Sequence, residues 1–431
     1  SNNSHNNVFP LEENDLKKRL KSWEIDLRQV SIRELNRLVD DLSSQYNVEF
    51  LRFEFGIPGL IPNQIGPEEE IRVLRDESKI IGTYPPFDGV HRLKKATAEF
   101  VKNFLNIQVD AKCCVPTVGA MHSGFICQSI AGRIRPESDT ILYLDPGFPV
   151  NKLQTKLLGL KEDSIDLYDF RGEKLIDEIE RRFASGKIGG LLWSSPNNPS
   201  WVCLKEKELE SIGNLLTKYD VMGIEDAAYL GMDYRYDYSV PGRKPFIPTI
   251  ANYTKNYFII ISSSKIFSYA GQRIAITIIS PGLLDRRYSN LQKYYNTSRV
   301  GHAFIHGGIY PTTAGVPQTP QYALAAFFEA ANNGPDKTEF VVELIDPPWK
   351  VDADGDGVLD LQDGCLETPL GAEADEFGCS CEQADEGPSR SEMELEIENI
   401  GQSLDTDTEQ FLLYFSRTSE QILLQISKTD S

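Results

Sequence analysis

Five short apolar runs restrict this chain more than any other feature. They cover residues 141–144, 191–194, 221–225, 258–261 and 274–279. Each is too short for a buried helix, and most are apolar at consecutive positions. A strand that is apolar on both faces has to be covered on both faces. Amphipathic segments of helical period separate the runs, and strand and helix alternation of this kind predicts an α/β fold with a mostly parallel sheet and helices on both faces. In such sheets, ligands bind beyond the carboxyl ends of the strands. The residues there are polar and specific: Asp145-Pro146-Gly147-Phe148, Pro196-Asn197-Asn198-Pro199, Asp226-Ala227-Ala228-Tyr229 and Ser262-Ser263-Ser264-Lys265.

Residues 11–50 read as charged and helical. Ser31 with Glu34 forms a capping box, and Ile32, Leu35, Val39 and Leu42 form an apolar stripe behind it. Residues 92–106 repeat the helical pattern, with Leu93, Ala96, Phe100, Val101 and Phe104 on one side. Residues 331–350 read as a linker, and beyond them the charge changes abruptly. Of the 431 residues, 64 are acidic and 44 basic, a net charge of −20. Residues 351–431 hold 21 of the acidic and 3 of the basic ones, so the body before them is close to neutral. An acidic tail on a neutral body argues against nucleic-acid binding. No apolar run approaches the roughly 20 residues needed to span a bilayer. Cys113, Cys114, Cys127 and Cys203 lie in apolar stretches and read as small buried hydrophobes, whereas Cys365, Cys379 and Cys381 sit in the acidic tail. There a disulfide requires an oxidising compartment. The polar start, Ser1 to Asn7, carries no leading Met or signal-peptide core.

Lys265 follows an apolar strand and three serines, and a second cation, Arg273, stands shortly after it. A lysine amine becomes a nucleophile when burial or a neighbouring cation lowers its pKa. Hydroxyls and a planar guanidinium suit a phosphate dianion. Together they suggest a lysine that joins pyridoxal phosphate as a Schiff base, against the alternative of a surface lysine at a strand end. That cofactor needs an acid at its ring nitrogen, which Asp226 at the end of a buried strand could supply. Tyr229 and Asn198 could bind the ring hydroxyl, and Phe148 could stack on the ring. Gly119-Ala120-Met121 opens a helix whose amides could hold the phosphate.

These segments, in this order, resemble the fold-type-I aminotransferases of class I/II over about residues 50–330. Ser262-Ser263-Ser264-Lys265-Ile266-Phe267-Ser268-Tyr269-Ala270-Gly271-Gln272-Arg273 resembles the family's lysine motif. Pro196-Asn197-Asn198-Pro199 resembles its Asn-Pro motif, and Asp226-Ala227-Ala228-Tyr229 its Asp-x-x-Tyr motif. Thr117-Val118-Gly119-Ala120-Met121 is similar to its phosphate loop, and Asp145-Pro146-Gly147-Phe148-Pro149 to its ring-stacking segment. The resemblance implies that Lys265 forms the Schiff base and carries the proton, that Asp226 pairs with the pyridinium, and that Asn198 and Tyr229 hold the ring hydroxyl. It implies Ser262, Ser264 and Arg273 as phosphate ligands. Tyr84 is similar to a tyrosine that reaches the neighbouring subunit's phosphate, which implies a homodimer; the alternative for Tyr84 and Phe148 is an ordinary core aromatic. Gly56 matches weakly the glycine that lies against the substrate. Two departures stand out. The family continues Asn-Pro with Thr-Gly, where this chain has Ser200-Trp201. Its C-terminal small domain, with a carboxylate-binding arginine, has no evident counterpart; Arg417 is the candidate stand-in, against the alternative of an exposed strand arginine.

In the tail, Asp352, Asp354, Asp356, Asp360 and Asp363 occupy positions 1, 3, 5, 9 and 12 of a loop with Gly357 at its tight turn and Val358 offering a carbonyl. That is an EF-hand-like calcium pattern; the bland alternative is an acidic linker. Its continuation through Cys365 to Cys379 resembles a thrombospondin type 3 repeat, a module of secreted and envelope proteins. The expected organisation is therefore a helical arm at 1–50, a cofactor-binding domain at 51–330, a linker at 331–350, a calcium repeat at 351–390 and an acidic β-rich tail at 391–431. The expected activity is transfer of an amino group from an amino acid to a 2-oxo acid, in the cytoplasm by the body and in an envelope setting by the tail alone. The alternatives are another pyridoxal phosphate reaction, such as a lyase or decarboxylase, or a calcium-binding envelope protein with an inactive body.

Overall fold

The computed structural model describes residues 13–23, 32–47, 50, 56, 61–233, 235–334, 411–418 and 421–428. The chain divides into two compact bodies, one of Ser1–Pro58 with Glu382–Ser431 and the other of Gly59–Cys381.

In the smaller body, the 11–50 segment holds two helices, α1 (Glu13–Ser22) and α2 (Ile32–Tyr46). Leu42 of the anticipated stripe is buried, joined by Leu38, and Leu16, Leu20, Trp23 and Leu35 pack against the pair. Arg37 lies 5.0 Å over the Trp23 ring. Strands Phe411–Thr418 and Gln421–Lys428 pair antiparallel from Phe411↔Lys428 to Thr418↔Gln421, which places Arg417 opposite Ile422.

The larger body carries a seven-stranded sheet. Its strands are β1 (Cys114–Thr117), β2 (Thr140–Asp145), β3 (Lys161–Asp166), β4 (Ile188–Ser194), β5 (Met222–Ala227), β6 (Tyr257–Ser262) and β7 (Ala275–Ile279). Their order is β1-β7-β6-β5-β4-β2-β3. Only β7 runs against the rest, pairing antiparallel with both β1 and β6. All five anticipated runs are strands, and β4, β6 and β7 are buried at every position. Unanticipated are the two edge strands. β1 is four residues long and contains Pro116, tolerable at an edge because the missing N–H faces no partner. β3, Lys-Glu-Asp-Ser-Ile-Asp, buries only Ile165, and its charges discourage pairing with a further strand.

The larger body's helices include α3 (Ile65–Asp76), α4 (His91–Leu105), α5 (Gly119–Ala131), α6 (Pro149–Leu157), α7 (Glu173–Phe183) and α8 (Glu206–Lys218). The α4 stripe is wholly buried, as its periodicity predicts. Alternation along β5 separates the helix layers. A side chain at Gly223 would meet Leu216 of α8. Asp226, on the opposite face, acts electrostatically on Cys127 of α5. The 331–350 linker begins later than expected, because helix Gln318–Asn333 runs through Asn332-Asn333 and ends at Gly334 (φ +75°). Its Phe328 packs on Phe100 of α4 at 4.5 Å. Cys113, Cys114 and Cys127 are buried free thiols, while Cys203 is only half-buried, a correction to the reading of all four as buried. Among the described residues, no helix is long and apolar enough to cross a membrane. The calcium loop, Cys365, Cys379, Cys381 and Ser31 lie outside the described residues.

Candidate active site

Strand register assembles the site along one edge of the sheet. Thr117 of β1 pairs with Ala275 of β7, and Ala275 pairs with Ser262 of β6. Ala227 of β5 pairs with Ile261, and Asp226 pairs with Ser194 of β4. Four segments distant in sequence therefore end at one level, and the loops leaving that level carry the polar residues.

Lys265 sits in a short helical turn, Ser263–Ile266, directly after β6. The Ser262 hydroxyl caps this turn by accepting from the Ser264 N–H at 3.2 Å. Ser263 is buried and donates to the Ile274 carbonyl at 2.8 Å, tying the turn to the strand that returns. The Lys265 amine lies 5.9 Å from the centre of the Tyr229 ring. Burial, then the nearby Arg273 charge, lowers its pKa. Asp226 projects from β5 and accepts the Ala228 N–H at 3.1 Å. Burial pushes its acid up to about 6. Tyr229 is raised as well, by burial and by the Asp226 charge, so its phenol keeps its proton.

The phosphate-loop residues stand at the start of α5. Gly119 has φ +72°, and a Cβ there would come within 2.5 Å of the Arg273 guanidinium. No other residue allows both that backbone and that approach. Arg273 is exposed, and its guanidinium donates to the Ala270 carbonyl at 2.9 Å. Ala120 is half-buried and Met121 is 42% exposed. Behind them His122 accepts the Val118 N–H through Nδ1 at 3.2 Å, with Thr312 2.7 Å from its Nε2. Burial depresses His122 to about 4, leaving it a neutral prop for the loop.

The Asn198 N–H donates to Ser194 Oγ at 2.9 Å. Asn197, not singled out by the sequence, is buried and anchors the turn by accepting from Ser200 N–H and Oγ at 3.2 and 2.7 Å. Half-buried Phe148 precedes α6 and lines a small enclosed cavity with Trp193, Ser194 and the Asp145–Lys152 ion pair. Tyr84 is 84% exposed, which removes the core-aromatic alternative. Gly56 is exposed and belongs to the smaller body, as does Arg417.

Sequence reasoning also missed Glu70. Glu70 of α3 accepts the Tyr269 hydroxyl at 2.5 Å, across 199 positions. The donor set suits pyridoxal phosphate: an acid in an apolar recess, a lysine of lowered basicity, and a guanidinium packed against glycine at a helix N-terminus.

A mostly parallel sheet with one reversed strand, and a lysine in the turn after β6, define the large domain of a fold-type-I pyridoxal phosphate protein. The chain belongs to the aminotransferase class I and II family, whose profile matches residues 62–309. An aspartate aminotransferase of Bacillus subtilis is 26% identical over 228 residues, 52% of this chain and 55% of that protein. An aromatic-amino-acid aminotransferase of Thermococcus litoralis is 29% identical over 255 residues, 57% of this chain and 63% of that one. The chain thus spans rather more than half the length of these curated relatives. The solved aspartate aminotransferase of Thermus thermophilus with maleate shares the fold at 17% identity, with 73% of each chain covered and a TM-score of 0.58.

Proposed function

We propose that this protein is a pyridoxal phosphate-dependent aminotransferase that moves an amino group from an amino acid to a 2-oxo acid. The observation that carries this reading is the meeting of Lys265, Tyr229 and Asp226 at the sheet edge, with Gly119 packed against Arg273 beside them. Bound pyridoxal phosphate supplies an electron sink for charge developed at the substrate's alpha carbon. The chain's own residues do the rest. Lys265, with its lowered pKa, is neutral in a larger fraction than an ordinary lysine, so it can attack a carbonyl and later hold a proton at Nζ. Asp226 ionises fully once a cation faces it, because an opposite charge reverses the effect of burial. Tyr229 keeps its proton and can donate to an oxygen, and Asn198 would share that oxygen. Arg273, the first N–H groups of α5 (Gly119, Ala120 and Met121) and the Ser262 and Ser264 hydroxyls would hold the phosphate. Phe148 would stack on the ring.

We further assign Tyr84 to a neighbouring subunit's phosphate in a homodimer, which its exposure supports. Gly56 and Arg417 are the proposed substrate contacts. Asp352, Asp354, Asp356, Val358, Asp360 and Asp363 are the proposed ligands of a calcium ion in a thrombospondin type 3-like segment, supported by their spacing. The body fits the cytoplasm, where its buried thiols stay reduced.

The test is a spectral titration of the purified protein against a panel of amino acids. A bound chromophore near the visible edge should shift on adding an amino donor, with release of the matching 2-oxo acid, and should be lost in Lys265→Ala. A protein that binds no chromophore, or a Lys265→Ala spectrum identical to wild type, sinks the reading.

A further inference from the structure

Trp201 stands in a backbone conformation that its side chain disfavours. Its φ is +56°, in the left-handed region where a Cβ crowds the next carbonyl. The surrounding turn imposes this geometry. The Trp201 N–H donates to the Asn197 carbonyl at 2.9 Å, and the Asn197 N–H to the Val202 carbonyl at 3.0 Å. Asn197 Oδ1 fastens Ser200 from within. Glycine would meet these demands without strain, and glycine follows the Asn-Pro-Thr of the sequences this motif resembles. The strain therefore comes from the identity of the side chain. Strained residues persist where their surroundings over-determine them, and they gather at functional sites.

What the indole touches suggests why it is there. Trp201 and Tyr229 meet edge to face, with ring centres 5.4 Å apart and planes at 70°. The Lys265 amine also lies 5.9 Å from the centre of the Tyr229 ring. We propose that Trp201 is a positioning residue that braces the Tyr229 ring against the Lys265 amine. An edge-to-face pair fixes the orientation of the partner ring. A fixed ring covers one side of the amine and keeps water from it, and desolvation is the largest effect on Lys265. Removing the indole frees the ring, and water then reaches the amine. Rehydration favours the charged ammonium, so the lysine becomes more basic. Arg273, a charge that acts on Lys265, and Asp226, whose charge acts on Tyr229, are untouched by the change.

The inference rests on the reading of Lys265 as the reactive amine, but its test needs no turnover. The full-length protein, stripped of cofactor, is acylated at a series of pH values, and labelling of Lys265 is followed by peptide mass spectrometry. In Trp201→Gly the half-labelling pH should rise by about half a unit or more towards the ordinary lysine value. Trp201→Phe, which keeps an aromatic edge, should restore the wild-type midpoint. Because glycine suits the left-handed turn, Trp201→Gly should melt no lower than wild type; Trp201→Ala serves as a second variant with the same expected rise. An unchanged midpoint in both truncations, or an equal rise in Trp201→Phe, overturns the proposal. Failure of the wild type to bind pyridoxal phosphate overturns the aminotransferase reading instead, while the cofactor-free titration still decides the role of Trp201.

Discussion

Gly119 and Arg273 lie far apart in the chain, yet neither makes sense without the other. The glycine leaves room for the guanidinium, and a methyl group there would be 2.5 Å from it. Gly119→Ala should therefore displace Arg273 from the helix N-terminus and weaken cofactor binding at least about tenfold, or about 1.4 kcal/mol. An absorbance titration measures this, and an affinity equal to wild type removes Arg273 from the cradle. A second prediction concerns two acids on opposite faces of β5, Glu225 buried and Asp226 half-buried. Burial pushes Asp226 up to about 6 and Glu225 up to about 7. Hydrogen bonds work against that rise, from Ala228 for Asp226 and from Thr249 and Ile250 for Glu225. Both values lie above the unfolded values of about 3.9 and 4.3. The native state therefore binds more protons than the unfolded state between about pH 4 and pH 7, and these two groups lower stability as the pH rises through that window. At about 1.4 kcal/mol per unit, the loss is at most about 3 kcal/mol for Asp226 and about 4 kcal/mol for Glu225. In cofactor-free protein, the stability difference between Glu225→Gln and wild type should change progressively in favour of the variant from about pH 4 to pH 7, and Asp226→Asn should do the same up to about pH 6. Saturating pyridoxal phosphate should remove the Asp226 effect and leave that of Glu225. Parallel stability curves across that range would show that neither acid is shifted. Lys265, Asp226 and Arg273 are legible as chemistry because each is a polar group at the end of an apolar run. Glu225 is not, since one residue of register decides which face of β5 it occupies.

Among the elements, helix Gln318–Asn333 supports the lysine loop from behind. Phe327 stacks on Phe267 at 4.7 Å with planes at 6°, and meets the Tyr269 ring edge-on at 5.2 Å. Those two residues lie between Lys265 and Arg273. Gly66 of α3 has no side chain because the Phe327 ring occupies the space, 2.2 Å from where a Cβ would stand. Phe327→Ala empties a fully buried site and should cost about 3–5 kcal/mol. It should also weaken cofactor binding, because the loop loses its backing. Denaturant unfolding and an absorbance titration measure the two effects, and a loss below about 1 kcal/mol would mean the helix gives the loop no support. Helices α1, α2 and α4 and the five anticipated strands are legible from periodicity alone. The edge strands β1 and β3 are not, because a strand with one neighbour needs fewer apolar residues and carries Pro116 or charges instead.

Across the whole molecule, the charge step near residue 350 separates a near-neutral body from a tail that holds most of the net −20. Calcium bound by Asp352, Asp354, Asp356, Asp360 and Asp363 would offset part of that charge. Calcium should then raise a melting transition of the full chain and chelator should lower it, while Asp352→Asn with Asp356→Asn abolishes the response. An identical melt with and without calcium removes the proposed ion. The sequence by itself determined the fold class, because runs apolar on both faces can be buried only between two helix layers. It also singled out Lys265, Asp226 and Arg273 as candidates, because each is a charged residue beside an apolar run. Only the tertiary structure decided how these groups act on one another. Register set Asp226 beside Ser194 and Ser262 beside Ala275. Packing brought Arg273 to Gly119, Glu70 to Tyr269 and Trp201 to Tyr229. Burial lowered the Lys265 pKa and raised that of Asp226. Each of these depends on distance and desolvation between residues remote in the chain, and neither quantity exists until the chain has folded.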